Sequence, residues 1–404
     1  MNVNHTHRSV DLIRSIGFAT IYVFFFLYSV GPALGLGEKY VIALWCMMAE
    51  ALLIMVFEIR KNKLIYKSYA LWMSCFIAYS LMSCLYAVNA ESAFGNTAAM
   101  LKILLKVFSV FIICKDFNGI RKLIRYFALL GGLVFLTLYL TGNLYETWRL
   151  GTDLLGNANS FALIVMITLM CDLFNLVYEK KISFKILWGI IAIGDIYLML
   201  LSGGRKFIIF LVVFSFILLI LNKTKERRSS FVKATVIIVL ALVGMYYAIM
   251  NVEVLYNSIG IRIIGLDSNS QTMMGSDAQK YLMTEGIKFF FQRPVFGWGA
   301  NGYANLFLKY HGTYIYSHCN YVELLTNYGI LGFVLYYSMY LYLILNLVKI
   351  KNDDNNMRNF FIAFLIGLLP FELFSITYNQ TAFIPMFIFF ANMYVEKTKH
   401  MQSI

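Results

Sequence analysis

Polar residues interrupt this chain so rarely that its apolar stretches set its organisation. Twelve apolar segments recur, at approximately 15–34, 40–57, 69–88, 99–114, 123–140, 160–178, 185–201, 206–221, 232–250, 325–348, 359–378 and 380–395. A helix needs roughly 17–25 apolar residues to cross the hydrocarbon core of a bilayer, and these runs supply them. The pattern predicts an all-α, polytopic transmembrane helical bundle of about 12 spans, read as a single integral membrane domain over residues 1–404. The first segment outruns the apolar core of a signal peptide and no small-residue cleavage site follows it, so it is expected to remain as the first span.

The one long polar interruption, 251–324, lies between the ninth and tenth expected spans and is expected to carry short helices. In "AQKYLMTEGIKFFFQ" (278–292) apolar residues fall at 282, 283, 287, 290 and 291, the spacing of an amphipathic helix on a membrane surface, with Pro294 beyond its end. "PVFGWGANGYANLF" follows, a literal G-x-G-x-x-G at Gly297, Gly299 and Gly302. Dinucleotide binding would require a strand ahead of it, whereas a helix precedes it; tight turns that admit close backbone approach are the better account. Farther on, Asn320 with Glu323 three residues later fits a capping box, Asn320 capping the next helix and Glu323 reaching back to its amide.

Composition agrees with the pattern. Charged residues make up 14% of the chain, aromatics 17%, and mean hydropathy is +0.70, against about 25% charged for a soluble domain. The net charge of +13 is not a nucleic-acid footprint. With the N-terminus in the cytoplasm, 23 of the 34 basic residues fall on the cytoplasmic side, so the positive-inside rule puts both termini there and the long loop outside. The cytoplasmic loops are too short for a nucleotide-binding domain, and no internal repeat marks a two-halved transporter. Five cysteines sit in or at the ends of apolar runs and only Cys319 in a polar loop, with no metal spacing and no disulfide framework.

External cations are rare under this topology. "LSGGRKF" puts Arg205 and Lys206 in a very short turn that Gly203 and Gly204 can bend sharply; Arg149, Arg262, Lys280, Lys288 and Arg293 are external too. The guanidinium fork suits bidentate phosphate binding, and snorkelling to lipid headgroups is the alternative. Lys102 and Lys106 share one face of the fourth span, and Glu50, Asp195 and Glu372 lie in or beside apolar runs, where charges usually face the bundle interior or a water-filled cavity. Trp298, Tyr303, Tyr310, Tyr314, Tyr316 and Tyr321 crowd the outer loop, as sugar-stacking rings or as an interfacial belt. In "YIYSHCNYVELL", His318 stands just ahead of a helix start. That position favours an anion and a neutral imidazole, which can accept a proton from a sugar hydroxyl.

"LSGGRKF", "FFQRPVFGWGANGYANLF" and "YSHCNYVELLTNYGILGFVLYY", in this order before the tenth span, resemble the O-antigen ligase and polymerase superfamily of bacterial surface-polysaccharide assembly. The motifs cover about 205–340. The resemblance implies a GT-C-like membrane glycosyltransferase that moves glycan from undecaprenyl pyrophosphate to an acceptor outside the cytoplasmic membrane, without cofactor, nucleotide sugar or metal. It implies that His318 activates the acceptor hydroxyl and that Arg205 engages the pyrophosphate. The family's second arginine is replaced here by Gln279-Lys280, so that its role either passes to Lys280 or is lost, and "HCN" stands for the usual "HN", which displaces Asn320 by one. The remaining candidate substrate-binding residues are Arg293, Tyr316 and Trp298. The expected activity is polymerisation of lipid-linked oligosaccharide repeat units for O-antigen or capsule. Transfer of finished polymer to lipid A-core is the alternative, and a polysaccharide flippase is a more distant one. Expected partners are the lipid-linked oligosaccharides, membrane lipid, a chain-length regulator and a flippase, with no nucleic acid.

Overall fold

The computed structural model describes residues 3–58, 67–144, 149–221, 227–264, 276–350, 356–379 and 382–402, and all regular structure among them is helical. Along the chain the helices are α1 (Val3–Val30), α2 (Tyr40–Glu58), α3 (Lys67–Ser83), α4 (Ala90–Cys114), α5 (Phe117–Leu140), α6 (Thr152–Leu155), α7 (Ala158–Tyr178), α8 (Ile182–Leu201) and α9 (Arg205–Leu221). They continue as α10 (Arg227–Asn251), α11 (Glu253–Leu255), α12 (Ile261–Ile264), α13 (Ser276–Gln292), α14 (Gly302–His311), α15 (Asn320–Lys349), α16 (Asn356–Phe371) and α17 (Phe383–Gln402).

Each of the twelve expected segments overlaps a helix, but fewer of these helices are by themselves long and apolar enough to cross a membrane. Among the described residues seven are long and apolar enough to span, namely α1, α2, α4, α5, α7, α8 and α15. An eighth is reached if the apolar part of α10 and the helix beyond Asn251, bent by 96°, form one span. The shortfall has physical causes. Helices α3 and α9 have 17 residues and α16 has 16, and α17 runs on into Glu396, Lys397 and Lys399. The chain is thus an all-α, multi-pass integral membrane protein with seven to eight candidate spans.

The helices group into two compact units. The first holds α1, α2, the last turns of α4 and α5 to α12. Its intramembrane polar groups turn inward, as the cost of an ion facing lipid requires. Asp172 and Asp195 are fully buried, with Thr168 Oγ1 donating to Asp195 Oδ2 at 2.5 Å. Gly131 makes room for that carboxylate, since a Cβ there would sit 2.2 Å from Asp195 Oδ2. Glu50 accepts a hydrogen bond from Thr20 Oγ1 at 2.9 Å. Arg14 donates to the carbonyls of Ile112 and Ile113, at 2.7 and 3.3 Å, at the electronegative end of α4.

The second unit holds α3, the rest of α4, and α13 to α17. Its organising feature is a break in α15 at Gly329, whose φ of +63° and ψ of −169° belong to a region open essentially to glycine alone. A continuous helix would bond Ile330 N to Thr326 O and Leu331 N to Asn327 O. Here those four groups are repartnered with residues 294–299. Trp298 N donates to Thr326 O (2.9 Å), Gly299 N to Asn327 O (2.8 Å), Ile330 N to Pro294 O (2.8 Å) and Leu331 N to Val295 O (3.4 Å). All four of these groups are therefore satisfied, as burial demands.

Two backbones can lie this close only without side chains between them. A Cβ on Gly329 would meet Val295 O at 2.2 Å, and one on Gly297 would meet the Asn327 carbonyl at 2.6 Å. A Cβ on Gly299 would strike Ala87 at 2.6 Å. The glycine-rich motif is thus a close-approach device, as its sequence suggested. A helix forms over the expected stretch as α13, but its buried face differs. Of the expected apolar positions only Leu282 is buried, joining Phe289 in a cluster with Tyr303, Leu306 and Phe307 of α14, while Phe291 is exposed. The twenty residues of α15 beyond the break reach about 30 Å, one bilayer core.

Replacing Gly329 by Ala should lower stability by about 3 kcal/mol or more, combining backbone strain with the clash. Gly312 also has positive φ (+73°), but open space surrounds its Cβ position, so Gly312→Ala should cost only about 1–2 kcal/mol. Thermal melting of the purified protein in detergent compares the two.

Candidate functional site

His318 sits in the second unit, one residue ahead of the Cys319 that precedes α15. Its φ of +57° lies in the left-handed region, an uncommon choice for a residue with a side chain. Both neighbours hold it there. Ser317 and Cys319 are buried, and Ser317 Oγ bridges to Cys319 O at 3.0 Å. Glu323 Oε2 accepts from Ser317 N at 2.9 Å. Between two sunken residues the imidazole is left half-buried, with the Tyr316 ring 4.4 Å away. Strain maintained by surrounding contacts at one displayed side chain is an observation from which a functional hypothesis can start.

The expected capping box is not formed. Asn320 is the first helical residue, and Cys319, with no side-chain cap, occupies the capping position. The Asn320 amide N–H is already taken by Glu372 O at 2.8 Å, so Glu323 reaches past it to Ser317. The Asn320 side chain turns away from the helix end: Oδ1 accepts from Thr377 N (3.0 Å) and Tyr378 N (3.4 Å), and Nδ2 donates to Tyr337 OH (3.0 Å). Asn320 thus ties the start of α15 to the segment after α16.

Glu372 anchors that tie. It is buried and accepts from Tyr337 OH and Tyr340 OH at 2.8 Å each, and from Thr377 Oγ1 at 2.5 Å. Asn327 makes a similar tie just ahead of the break in α15: Oδ1 accepts from Tyr303 N at 2.8 Å, and Nδ2 donates to Tyr378 OH at 3.1 Å. Sequence reasoning left Glu372 ambiguous and passed over Asn327. The available signal was an amide two residues ahead of a glycine inside an apolar helix.

The other expected binding residues of this unit lie nearby in the chain or apart from it. The Arg293 guanidinium stacks 4.1 Å from the Trp298 ring, whose Nε1 donates to Phe289 O at 2.8 Å. Lys280 is exposed in the first turn of α13 and pairs with Asp277 at 3.7 Å, a contact of little energetic weight. One cluster went unforeseen. Glu285 is buried and takes Lys288 Nζ at 2.7 Å and His311 Nε2 at 3.2 Å, while Tyr281 OH meets His311 Nδ1 at 3.3 Å. This array clamps the end of α14 onto α13.

Arg205 belongs to the first unit, as the exposed first residue of α9. The turn before it is tightly built: Gly203 has φ +67°, and a Cβ on Gly204 would meet the Phe207 ring at 2.4 Å. Arg149 docks on this turn, its Nε donating to Ser202 O at 2.9 Å, while Leu150 N donates to Leu201 O at 3.1 Å. The Arg149 and Lys206 charges are close enough to repel. The start of α9 thus gathers three cations, Arg149, Arg205 and Lys206. Spacing alone had not joined Arg149 to the other two, fifty-odd residues on. Together with the positive end of a helix dipole, such a group suits a polyanionic ligand.

The helices define a multi-pass integral membrane protein. Residues 190–337 match the family model described as O-antigen ligase, so the chain carries an O-antigen ligase family domain over that stretch. It begins within α8 and takes in Arg205, Arg293, Trp298 and His318. Members of this family are membrane enzymes that transfer lipid-linked glycans. No curated protein matches the chain.

The Glu285 clamp carries a pH dependence. The hydrogen bond from Lys288 leads in holding its carboxyl below the usual carboxylate range; burial opposes this and His311 assists. A carboxylate lowered on folding stabilises fully above its ordinary pKa, and the gain is lost as pH falls through the lowered value. Exchange of the 302–311 amides should therefore accelerate as pH drops from about 5 to about 3 beyond the intrinsic trend. A Glu285→Gln chain should exchange faster at neutral pH and lack the acid-dependent step.

Proposed function

We propose that the protein polymerises undecaprenyl-pyrophosphate-linked oligosaccharide repeat units into O-antigen or capsule on the outer face of the bacterial cytoplasmic membrane. In this reading all twelve apolar segments serve as spans, both termini are cytoplasmic, and a flippase and a chain-length regulator act alongside. The observation that carries the reading is the display of His318, held in a strained turn ahead of α15 within the matched domain.

The imidazole of His318 takes the proton of the acceptor hydroxyl as its oxygen bonds to the donor's anomeric carbon. The bond from that carbon to the pyrophosphate oxygen breaks, and the lipid pyrophosphate leaves with the electron pair. Negative charge grows on the leaving group, where cations contribute most. Arg205 supplies the bidentate contact, with Arg149 and Lys206 beside it and Lys280 in the role of the family's second arginine. Tyr316 orients the imidazole, Trp298 and Arg293 contact substrate, and Asn320 acts by holding the His318 loop. The second reading, transfer of finished polymer to lipid A-core, has in its favour the ligase description of the matching family.

Expression in strains lacking either activity separates the two: restored long-chain ladders mean polymerase, and restored transfer of accumulated polymer means ligase. His318→Ala should cut product by about a hundredfold or more at equal expression. Arg205→Lys should also impair it, because an ammonium cannot make the bidentate contact. Unchanged product from Arg205→Lys would assign that residue to lipid headgroups instead.

A further inference from the structure

The lock between residues 294–299 and α15 leaves the side chains of 293–296 exposed beside a recess. Tyr86, Arg293, Pro294, Val295, Phe296 and Gly297 line an open cavity of about 520 Å³. The Tyr86 hydroxyl is committed to Phe296 O at 3.1 Å. The lining is therefore hydrocarbon and ring apart from one guanidinium, and among the described residues no carboxylate pairs with Arg293. Phe296 in the lining is 56% exposed, and the neighbouring residues in the sequence, Phe291 and Leu85, are exposed apolar side chains too.

A glycan would need several placed donors and acceptors, which the recess lacks. A nonspecific greasy patch would not hold a single cation rigidly against a tryptophan. We propose that the recess binds the isoprenoid end of the lipid-linked donor, the first prenyl units lying on Val295 and Phe296 and the lipid-proximal phosphate on Arg293. The inference rests on the reading of the donor as a polyprenyl pyrophosphate, and it gives Arg293 the lipid end of that molecule rather than the sugar.

The test uses the full chain in nanodiscs of zwitterionic phospholipid and a benzophenone-bearing farnesyl diphosphate, which carries no glycan. Photo-crosslinks should map to residues 291–298. Arg293→Gln should reduce the yield about tenfold at subsaturating probe, the size of one charge-assisted contact. Phe296→Ser, at an exposed position, should reduce it severalfold while leaving the melting temperature unchanged. Excess farnesyl diphosphate should compete, whereas inorganic pyrophosphate should not. Competition by pyrophosphate as strong as by farnesyl diphosphate would reduce the recess to an anion site and overturn the proposal. So would loss of labelling in phosphatidylglycerol nanodiscs, which would mean a general anionic-lipid patch, or labelling elsewhere that ignores both substitutions. His318→Ala should retain the crosslink. Labelling lost with transfer intact defeats the recess alone; labelling intact with wild-type transfer absent defeats the donor reading alone.

Discussion

A helix broken at one glycine and mended by a separate stretch of backbone is the constraint on which the second unit depends. Breaking α15 at Gly329 releases two carbonyls and two amides, each costly to bury alone. Residues 294–299 satisfy all four, and they reach them because Gly297 and Gly329 present no side chain to each other's backbone. One exchange of partners fixes the direction of α15, the exit of the chain from α13 and the outward face that bears Arg293. A motif resembling a nucleotide loop thus acts through what it lacks.

The same unit shows how an apolar protein keeps polar groups useful. Glu323, Asn327 and Glu372 are buried, yet each is engaged by amides or hydroxyls rather than by cations. Such networks rigidify when fully satisfied and are costly when they are not. Here they converge on the start of α15 from three directions: Glu323 through Ser317, Asn320 through the segment after α16, and Asn327 through α14. The result is a histidine whose backbone conformation is set by its neighbours and whose side chain remains half-exposed.

Much of this was legible in the sequence, and the reasons differ from feature to feature. Apolar run length identified the class of fold, because a bilayer imposes one length scale on every span. Run length alone leaves the number of spans open because it ignores where helices end, as at Phe371, seven residues short of the expected limit of that segment at 378. The glycine motif was readable as close approach, since helix before and membrane around exclude the alternative. The capping box failed for a tertiary reason: Glu372 O, fifty-two residues away, had already taken the Asn320 amide. The companionship of Arg149 with the "LSGGRKF" turn and the Glu285–His311 clamp are likewise long-range pairings that no local period encodes.

The central claim is that His318 takes the acceptor's proton in transfer from a polyprenyl pyrophosphate, and single-turnover kinetics of the purified chain against pH test it most directly. With a defined lipid-linked oligosaccharide as donor, the wild-type rate should fall on the acid side with one ionisation, as a base that must be neutral requires. The His318→Ala chain, folded and binding donor normally, should be slower by about two orders of magnitude and should lose that acid limb. A variant that turned over at close to the wild-type rate with the same pH profile would contradict the account.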